Sequence, residues 1–191
     1  ETCMEVTGTH LRQIIVGGEQ LTTALALKIH RQFDSKVTIY NKYGPTETVI
    51  GCIAQVYDPK NNMRHAVPIG TPIHNMKAYI LDEKGAACPC GVAGELYIDG
   101  PGVSPGYIHQ PELNRQRFVS GKIISEPDLR LYRTGDMAKY LPDGTIEYLG
   151  RDDSQVKIRG YRVDLLEIGQ VAQMCAGISD AVVLQDKTAY E

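Results

Sequence analysis

The spacing of apolar residues changes twice along this chain, and each change marks a different kind of structure. Near the start, Ile14-Ile15-Val16 is a short apolar run stopped by Gly17-Gly18, the pattern of a buried strand. Leu21, Leu25, Ile29 and Phe33 then recur every four residues, with Thr22 and Thr23 at their start, which predicts a helix. Residues 37–41 alternate in strand fashion and deliver Tyr43 to Glu47 beyond their C-terminal end. The order strand, helix, strand predicts the last portion of an α/β layer, where ligands sit outside the carboxyl ends of the strands.

From about residue 58 to 153 short strands alternate with turns. Residues 77–82, an 83–85 turn, residues 94–99, and Leu141-Pro142-Asp143-Gly144 leading into 145–149 give the pattern of a small, distorted β-barrel. Residues 111–118 predict one or two helical turns, with Pro111 first, where a missing N–H costs nothing. After Asp153 comes a hairpin over 155–163, then a helix opened by Asp164 and Glu167 at capping-box spacing. Its apolar face is Ile168, Val171, Ala172 and Cys175, and Gly169 weakens it by about 1 kcal/mol relative to Ala. Residues 181–185 predict one further strand. The fold class is therefore α+β: the end of an α/β layer, a small distorted barrel, and the start of a small α+β lobe.

Chemistry concentrates in Asn41-Lys42-Tyr43-Gly44-Pro45-Thr46-Glu47. Tyr43 offers an aromatic face, and the Gly44-Pro45 turn brings backbone close to a ligand. The Thr46 hydroxyl suits a phosphate oxygen, and Glu47 is a hard oxygen ligand of the kind Mg²⁺ takes beside phosphates and water. Downstream stand Gly94-Glu95-Leu96-Tyr97-Ile98, Gly102-Val103-Ser104-Pro105-Gly106-Tyr107, Tyr132-Arg133-Thr134-Gly135-Asp136, and the run from Gly150-Arg151-Asp152-Asp153 to Gly160. In this order and spacing the motifs resemble the adenylation domain of a nonribosomal peptide synthetase, a member of the adenylate-forming ligases, from about Leu11 to Ile168.

The resemblance implies roles for particular residues. Residues 1–57 would be the C-terminal part of the α/β core layer, 58–153 the barrel-like part of the adenylation core, and 154–191 the start of the mobile C-terminal lobe. ATP and Mg²⁺ are the implied cofactors. Tyr43 would stack on adenine, with Gly18, Glu19, Asn41 and Gly44 around it; Asp136 would bind the ribose, with Tyr148 and Arg151 near ribose and phosphates. Thr46 and Glu47 would be catalytic, Glu47 also holding Mg²⁺, and Asp153 would be the hinge of the lobe. The substrate pocket would draw on Ile14, Val16, Lys42, Ile50 and Gly51. Lys42 fits a substrate carrying a carboxylate or strong acceptor, an ion pair with an acidic pocket residue outside these positions, or a head that reaches solvent. Without the resemblance, Asn41 and Tyr43 read as a strand end packed by an aromatic, Asp136 as an Asp stabilising its own turn, and Arg151 as a surface ion-pair partner.

The same resemblance predicts features that this sequence does not contain: an upstream Ser/Thr/Gly-rich phosphate loop with its Lys, an Asp gripping the substrate amino group, and a catalytic Lys in the lobe. The chain is expected to be an internal piece of a longer enzyme, unable to form an acyl-adenylate alone, with the rest of its adenylation domain, a carrier protein and neighbouring synthetase domains as partners. Residues 154–191 are too few to bury a core and are expected to be poorly ordered or held by a neighbour. Ser104-Pro105 and the stretch from Asp164 to Gly169 depart from the family pattern. The activity so implied is activation of an amino acid and its loading onto a phosphopantetheine thiol. An aryl, hydroxy or keto acid is the alternative substrate, and a noncatalytic module of a megasynthase the alternative role.

Composition narrows the rest. A 42% hydrophobic content permits a core, while a net charge of −3 with no Lys/Arg cluster points away from nucleic acid. No apolar run approaches membrane-spanning length and Glu1 opens no signal peptide, so the expectation is a cytoplasmic protein with no membrane partner. Cys88-Pro89-Cys90 is the sole close pair among five cysteines, and even with His65 and His74 it lacks the second pair that frames zinc, so the thiols are expected to be reduced.

Overall fold

The computed structural model describes residues 10–33, 35–60, 64–120, 129–152, 155–158 and 161–185. They divide into two compact units, Glu1–Gly150 and Arg151–Glu191.

In the first unit, β1 (Gln13–Gly17) and β2 (Thr38–Tyr43) pair in parallel, Ile14 beside Ile39 and Gly17 beside Lys42. The connection between them is α1 (Thr23–Gln32), capped by Thr22, whose hydroxyl accepts from Leu25 N at 3.2 Å. The expected apolar face needs correction. Leu21 is buried but precedes the helix, so it does not share the helical period, and Leu25 is left 48% exposed. The buried stripe is instead Ala26, Ile29 and Phe33, packed with Leu21, Val37, Ile39, Tyr57 and Val67. Beyond β2, a 3-10 turn (Thr46–Thr48) leads to β3 (Ile53–Val56), which returns antiparallel with Ile53 beside Tyr43 and pairs with β4 (Thr71–Pro72). The sheet order is β1-β2-β3-β4.

A second, antiparallel sheet follows, built from β5 (Lys77–Leu81), β6 (Gly94–Asp99), β7 (Phe118–Ser120) and the long β8 (Arg130–Tyr140), in the order β5-β6-β8-β7. β9 (Ile146–Arg151) pairs with β8, and α2 (Pro111–Arg117) runs into β7. The β-rich middle of the chain is present, but among the described residues it forms an open sheet and not a closed barrel: β5 and β7 remain separate ends of the path. The main core lies between the two sheets, where Tyr43, Cys52 and Ile53 meet Ile80, Leu96, Ile98 and Ile146. Leu81, Tyr97 and Leu131 form a smaller cluster.

In the second unit, β10 (Gln155–Ile158) and β11 (Tyr161–Asp164) make the expected hairpin, and Asp164 caps α3 (Leu165–Gln173) by accepting from Leu166 N at 3.0 Å. The face of α3 differs from expectation. Ile168, Val171 and Cys175 are exposed, whereas Gly169 is buried, with the Ala181 carbonyl 3.3 Å from where a Cβ would stand. Residues 181–185 are irregular, not a strand; the Ala181 carbonyl and, at 3.9 Å, Val183 Cγ2 face the Cβ position of this glycine. No helix of the described residues is long and apolar enough to cross a membrane.

Candidate functional site

The C-terminal end of β2 and the middle of β8 converge through one hydrogen bond. Tyr43, the last residue of β2, is buried, and its hydroxyl donates to Asp136 Oδ2. Asp136 is only 2% exposed. It reaches this position because β8 bulges: Glu95 pairs with Met137 while Tyr97 pairs with Arg133, so β8 carries extra residues opposite Leu96. Each of those residues has a separate job. Thr134 Oγ1 donates to the Leu96 carbonyl at 2.7 Å and accepts from Asp136 N at 3.0 Å. Gly135 takes the left-handed φ of 75° that the bulge requires, and its N–H donates to Glu95 Oε1 at 3.1 Å. The Glu95 carboxylate is itself held by Arg133 Nε at 2.9 Å. Burial, then the neighbouring Asp136 charge, pushes the Tyr43 hydroxyl well above the usual tyrosine range. Its proton therefore stays in place and serves the carboxylate. The Tyr148 ring lies 6.2 Å from that of Tyr43 at 40°.

The loop after β2 is tight. Cys52 N donates to Tyr43 O at 2.9 Å, closing the chain around Gly44. Thr46 and Glu47 sit on the 3-10 turn, secured by Thr48, whose buried hydroxyl donates to Pro45 O at 3.1 Å. Val49 and Ile50 follow with φ of 61° and 65°, a left-handed conformation that costs a β-branched residue about 1–3 kcal/mol. Glu47 Oε1 accepts from the Tyr107 hydroxyl at 2.5 Å, and Glu47 O accepts from Ser104 N at 2.8 Å. Desolvation, then the Glu47 bond, raises the Tyr107 hydroxyl above its ordinary value.

The remaining expected residues fall into groups. Asn41 spends both Nδ2 hydrogens on the carbonyls of Val67 (3.1 Å) and Pro68 (2.9 Å) and is buried, as in a packed strand end. Gly18, with φ of 92°, and the exposed Glu19 lie just past the carboxyl end of β1, beside the end of β2 in the parallel register. Lys42 is half-buried and folds over Gly51, where an added Cβ would stand 1.5 Å from Lys42 Cε; Ile50 is exposed. Ile14 and Val16 do not join them. They pack against the α1 core, on the opposite face of the sheet from Lys42. The register places Gly17 beside Lys42 and Ile15 beside Tyr40, so the residues on Lys42's face are Ile15, 65% exposed, and Gly17. Only the β1–β2 register identifies them, and alternation along either strand alone does not supply it. Sequence reading also missed Tyr107 and Thr134, which hold Glu47 and Asp136. Arg151 ends β9 and is the first residue of the second unit. Asp153 lies outside the described residues.

No group of three or more His, Cys, Asp and Glu side chains converges as a metal cage among the described residues, and Cys52, Cys88, Cys90 and Cys175 are free thiols. Glu47 is one carboxylate on a loop. That donor set fits a Mg²⁺ ion carried chiefly by substrate phosphates and water, and does not fit a cage made by protein alone.

Residues 4–108 match the family model described as AMP-binding enzyme, more than half of the chain. Bacitracin synthase 3 of Bacillus licheniformis is 49% identical over 94% of this chain and 3% of its own length, and tyrocidine synthase 3 of Brevibacillus parabrevis is 46% identical over 93% and 3%. This chain thus spans a few per cent of these curated relatives. Among solved structures, PA1221, an NRPS protein containing adenylation and PCP domains, superposes with a TM-score of 0.83 at 32% identity, covering 93% of this chain and 36% of that one. The Vibrio cholerae adenylation domain AlmE, in complex with glycyl-adenosine-5'-phosphate, superposes with a TM-score of 0.82 at 27% identity, covering 94% and 34%. The chain belongs to the AMP-binding enzyme family, and within it to the adenylation domains of nonribosomal peptide synthetases.

Proposed function

We propose that this region is part of a site that activates an amino acid with ATP and passes it to a carrier-protein thiol. A carboxylate oxygen of the acid attacks the α-phosphorus of ATP, the bond to pyrophosphate breaks, and an acyl-adenylate forms. The phosphopantetheine thiol then attacks the acyl carbon, and AMP leaves. Asp136 accepts hydrogen bonds from the ribose hydroxyls, a task for which a carboxylate with several lone pairs is suited. Tyr43 lends its ring to adenine and its hydroxyl to Asp136, with Asn41, Gly18 and Glu19 on the adenine side and Tyr148 toward the ribose. Thr46 contacts phosphate. Glu47 contributes one carboxylate to Mg²⁺, which when bound offsets phosphate charge. The acid lies along the face of Ile15, Gly17, Lys42, Ile50 and Gly51. Two solved relatives support the wider reading: one contains adenylation and PCP domains, the other holds a glycyl-adenylate.

The observation that carries this reading is the Tyr43–Asp136 bond. It joins residues 93 positions apart at the carboxyl end of a parallel strand, inside a relative-rich nucleotide family. It is tested by amino-acid-dependent ATP–pyrophosphate exchange in the whole synthetase protein that contains this chain. Asp136→Asn keeps shape and one acceptor, and is expected to cut exchange by about 100-fold, the scale of losing one preorganised electrostatic contact. Wild-type exchange in that variant would refute the ribose role.

A further inference from the structure

We infer that Tyr107 is a positioning residue for Glu47: the loop over residues 104–107 is a strut that fixes this carboxylate for a phosphate-borne divalent cation. The inference rests on the reading of Glu47 given above and extends it to residues with no assigned role. Glu47 sits on a three-residue 3-10 turn followed by two left-handed residues; the turn's own bonds converge on Pro45 O, from Thr48 N, Thr48 Oγ1 and Ile50 N, and these do not reach the Glu47 carboxylate. The same distant loop reaches it twice. Ser104 N holds its carbonyl at 2.8 Å, and the Tyr107 hydroxyl, 60 positions away, holds Oε1 at 2.5 Å.

The strut is braced from behind. Arg130 donates from Nη1 to Ser104 O at 2.6 Å and from Nη2 to Pro105 O at 2.7 Å, and its guanidinium lies 4.7 Å over the Phe118 ring. Phe118 in turn stands edge-on to Tyr107 at 5.4 Å. Asn114 of α2 clamps the Tyr107 backbone from both sides, accepting from its N–H at 2.7 Å and donating to its carbonyl at 2.8 Å. Gly106 makes that approach possible, because at φ of 136° an added Cβ would stand 2.8 Å from Asn114 Oδ1. Packing of the Tyr107 ring alone would stabilise the loop. The hydroxyl adds something packing does not: a charge-assisted bond that fixes which way the carboxylate faces.

The test uses the whole synthetase protein and compares Tyr107→Phe, Asn114→Ala and Glu47→Gln. Phenylalanine keeps the ring and its contact with Phe118 and removes only the hydroxyl. Binding of Mn²⁺ to the ATP-loaded protein is followed by electron paramagnetic resonance, beside metal-free ATP binding, the thermal midpoint and the Mg²⁺ dependence of exchange. Tyr107→Phe is expected to weaken Mn²⁺ binding and raise the half-saturating Mg²⁺ by about tenfold, the loss of one hydrogen bond to a charged group. Metal-free ATP affinity should stay near wild type, while the thermal midpoint falls modestly because the same charge-assisted bond also holds the loop. Asn114→Ala should weaken Mn²⁺ binding in the same direction by less. If Glu47→Gln loses the metal while Tyr107→Phe keeps wild-type Mn²⁺ affinity, the strut is refuted and the role of Glu47 stands. If Glu47→Gln itself leaves Mn²⁺ binding intact, the metal role falls and the strut with it. Should Tyr107→Phe fail to fold, unchanged Mn²⁺ affinity in Asn114→Ala is the refuting result.

Discussion

Gly44 stands where the chain turns out of β2, and its lack of a side chain has a specific cause. An added Cβ would stand 2.6 Å from Gly51 N, 2.7 Å from Ile50 C and 2.9 Å from Cys52 N, all backbone atoms that cannot rotate away. Gly44→Ala should therefore lower stability by about 1–3 kcal/mol, as overpacking does, read as a shifted denaturant midpoint; an unchanged midpoint would contradict the tight loop. Much of the site at this scale could be read from the sequence. The residues from Asn41 to Glu47 and Asp136 announce themselves by type and order, and Tyr43 and Asp136 do meet. What was illegible depends on pairing. Whether Ile14 or Ile15 shares a face with Lys42 is decided by the β1–β2 register, and a one-residue error in counting exchanges core for open face. Tyr107 closes the motif that begins at Gly102, yet nothing local to it reveals that its hydroxyl meets Glu47.

Elements were legible where a local signal sets them. Thr22 marks the start of α1 and supplies its cap, so Thr22→Ala should cost about 1 kcal/mol in thermal or denaturant unfolding. A loss below the measurement error would show that the bond to Leu25 N is offset by water. Both hairpin strands β10 and β11 and the Asp164 cap follow from sequence in the same way. The longest strand did not. β8 contains Arg133, Thr134, Gly135 and Asp136 in succession, a polar run with a glycine that fits no period, because the strand bulges there to turn Asp136 inward. The break in pattern is what places the proposed ribose ligand, Asp136, beside Tyr43. The apolar face of α3 failed for the converse reason: its spacing is regular, but the contact that forms uses the missing side chain of Gly169.

For the molecule as a whole, the candidate site and the main core of the first unit share Tyr43, with Tyr148 packed against that core, and this couples stability to pH on the alkaline side. Tyr43 and Cys52 belong to the core between the two sheets, and the Tyr107 ring packs on Phe118. Burial raises the Cys52 thiol from 9.0 to about 11, and Tyr43 and Tyr107 lie above the ordinary tyrosine value of 10.0. All three hold their protons more tightly folded than unfolded. Their contribution is thus fully present below the unfolded values and is lost as pH rises through the folded ones, because the unfolded chain then releases protons that the fold retains. Loss should begin near pH 9 with Cys52 and steepen beyond pH 10 as unfolded tyrosines ionise. Each proton difference contributes about 1.4 kcal/mol per pH unit. The thermal midpoint should therefore fall across this window, and the tyrosinate absorbance of Tyr43 should appear only together with loss of tertiary structure. Tyr43→Phe should make the fall shallower by removing one of these protons, even where the substitution lowers stability at neutral pH. A midpoint that stays level from about pH 8 to 11, with the tyrosinate absorbance of the folded protein smaller by one residue in Tyr43→Phe, would mean that Tyr43 is open to solvent and that its bond to Asp136 is not the buried link of the proposed nucleotide site.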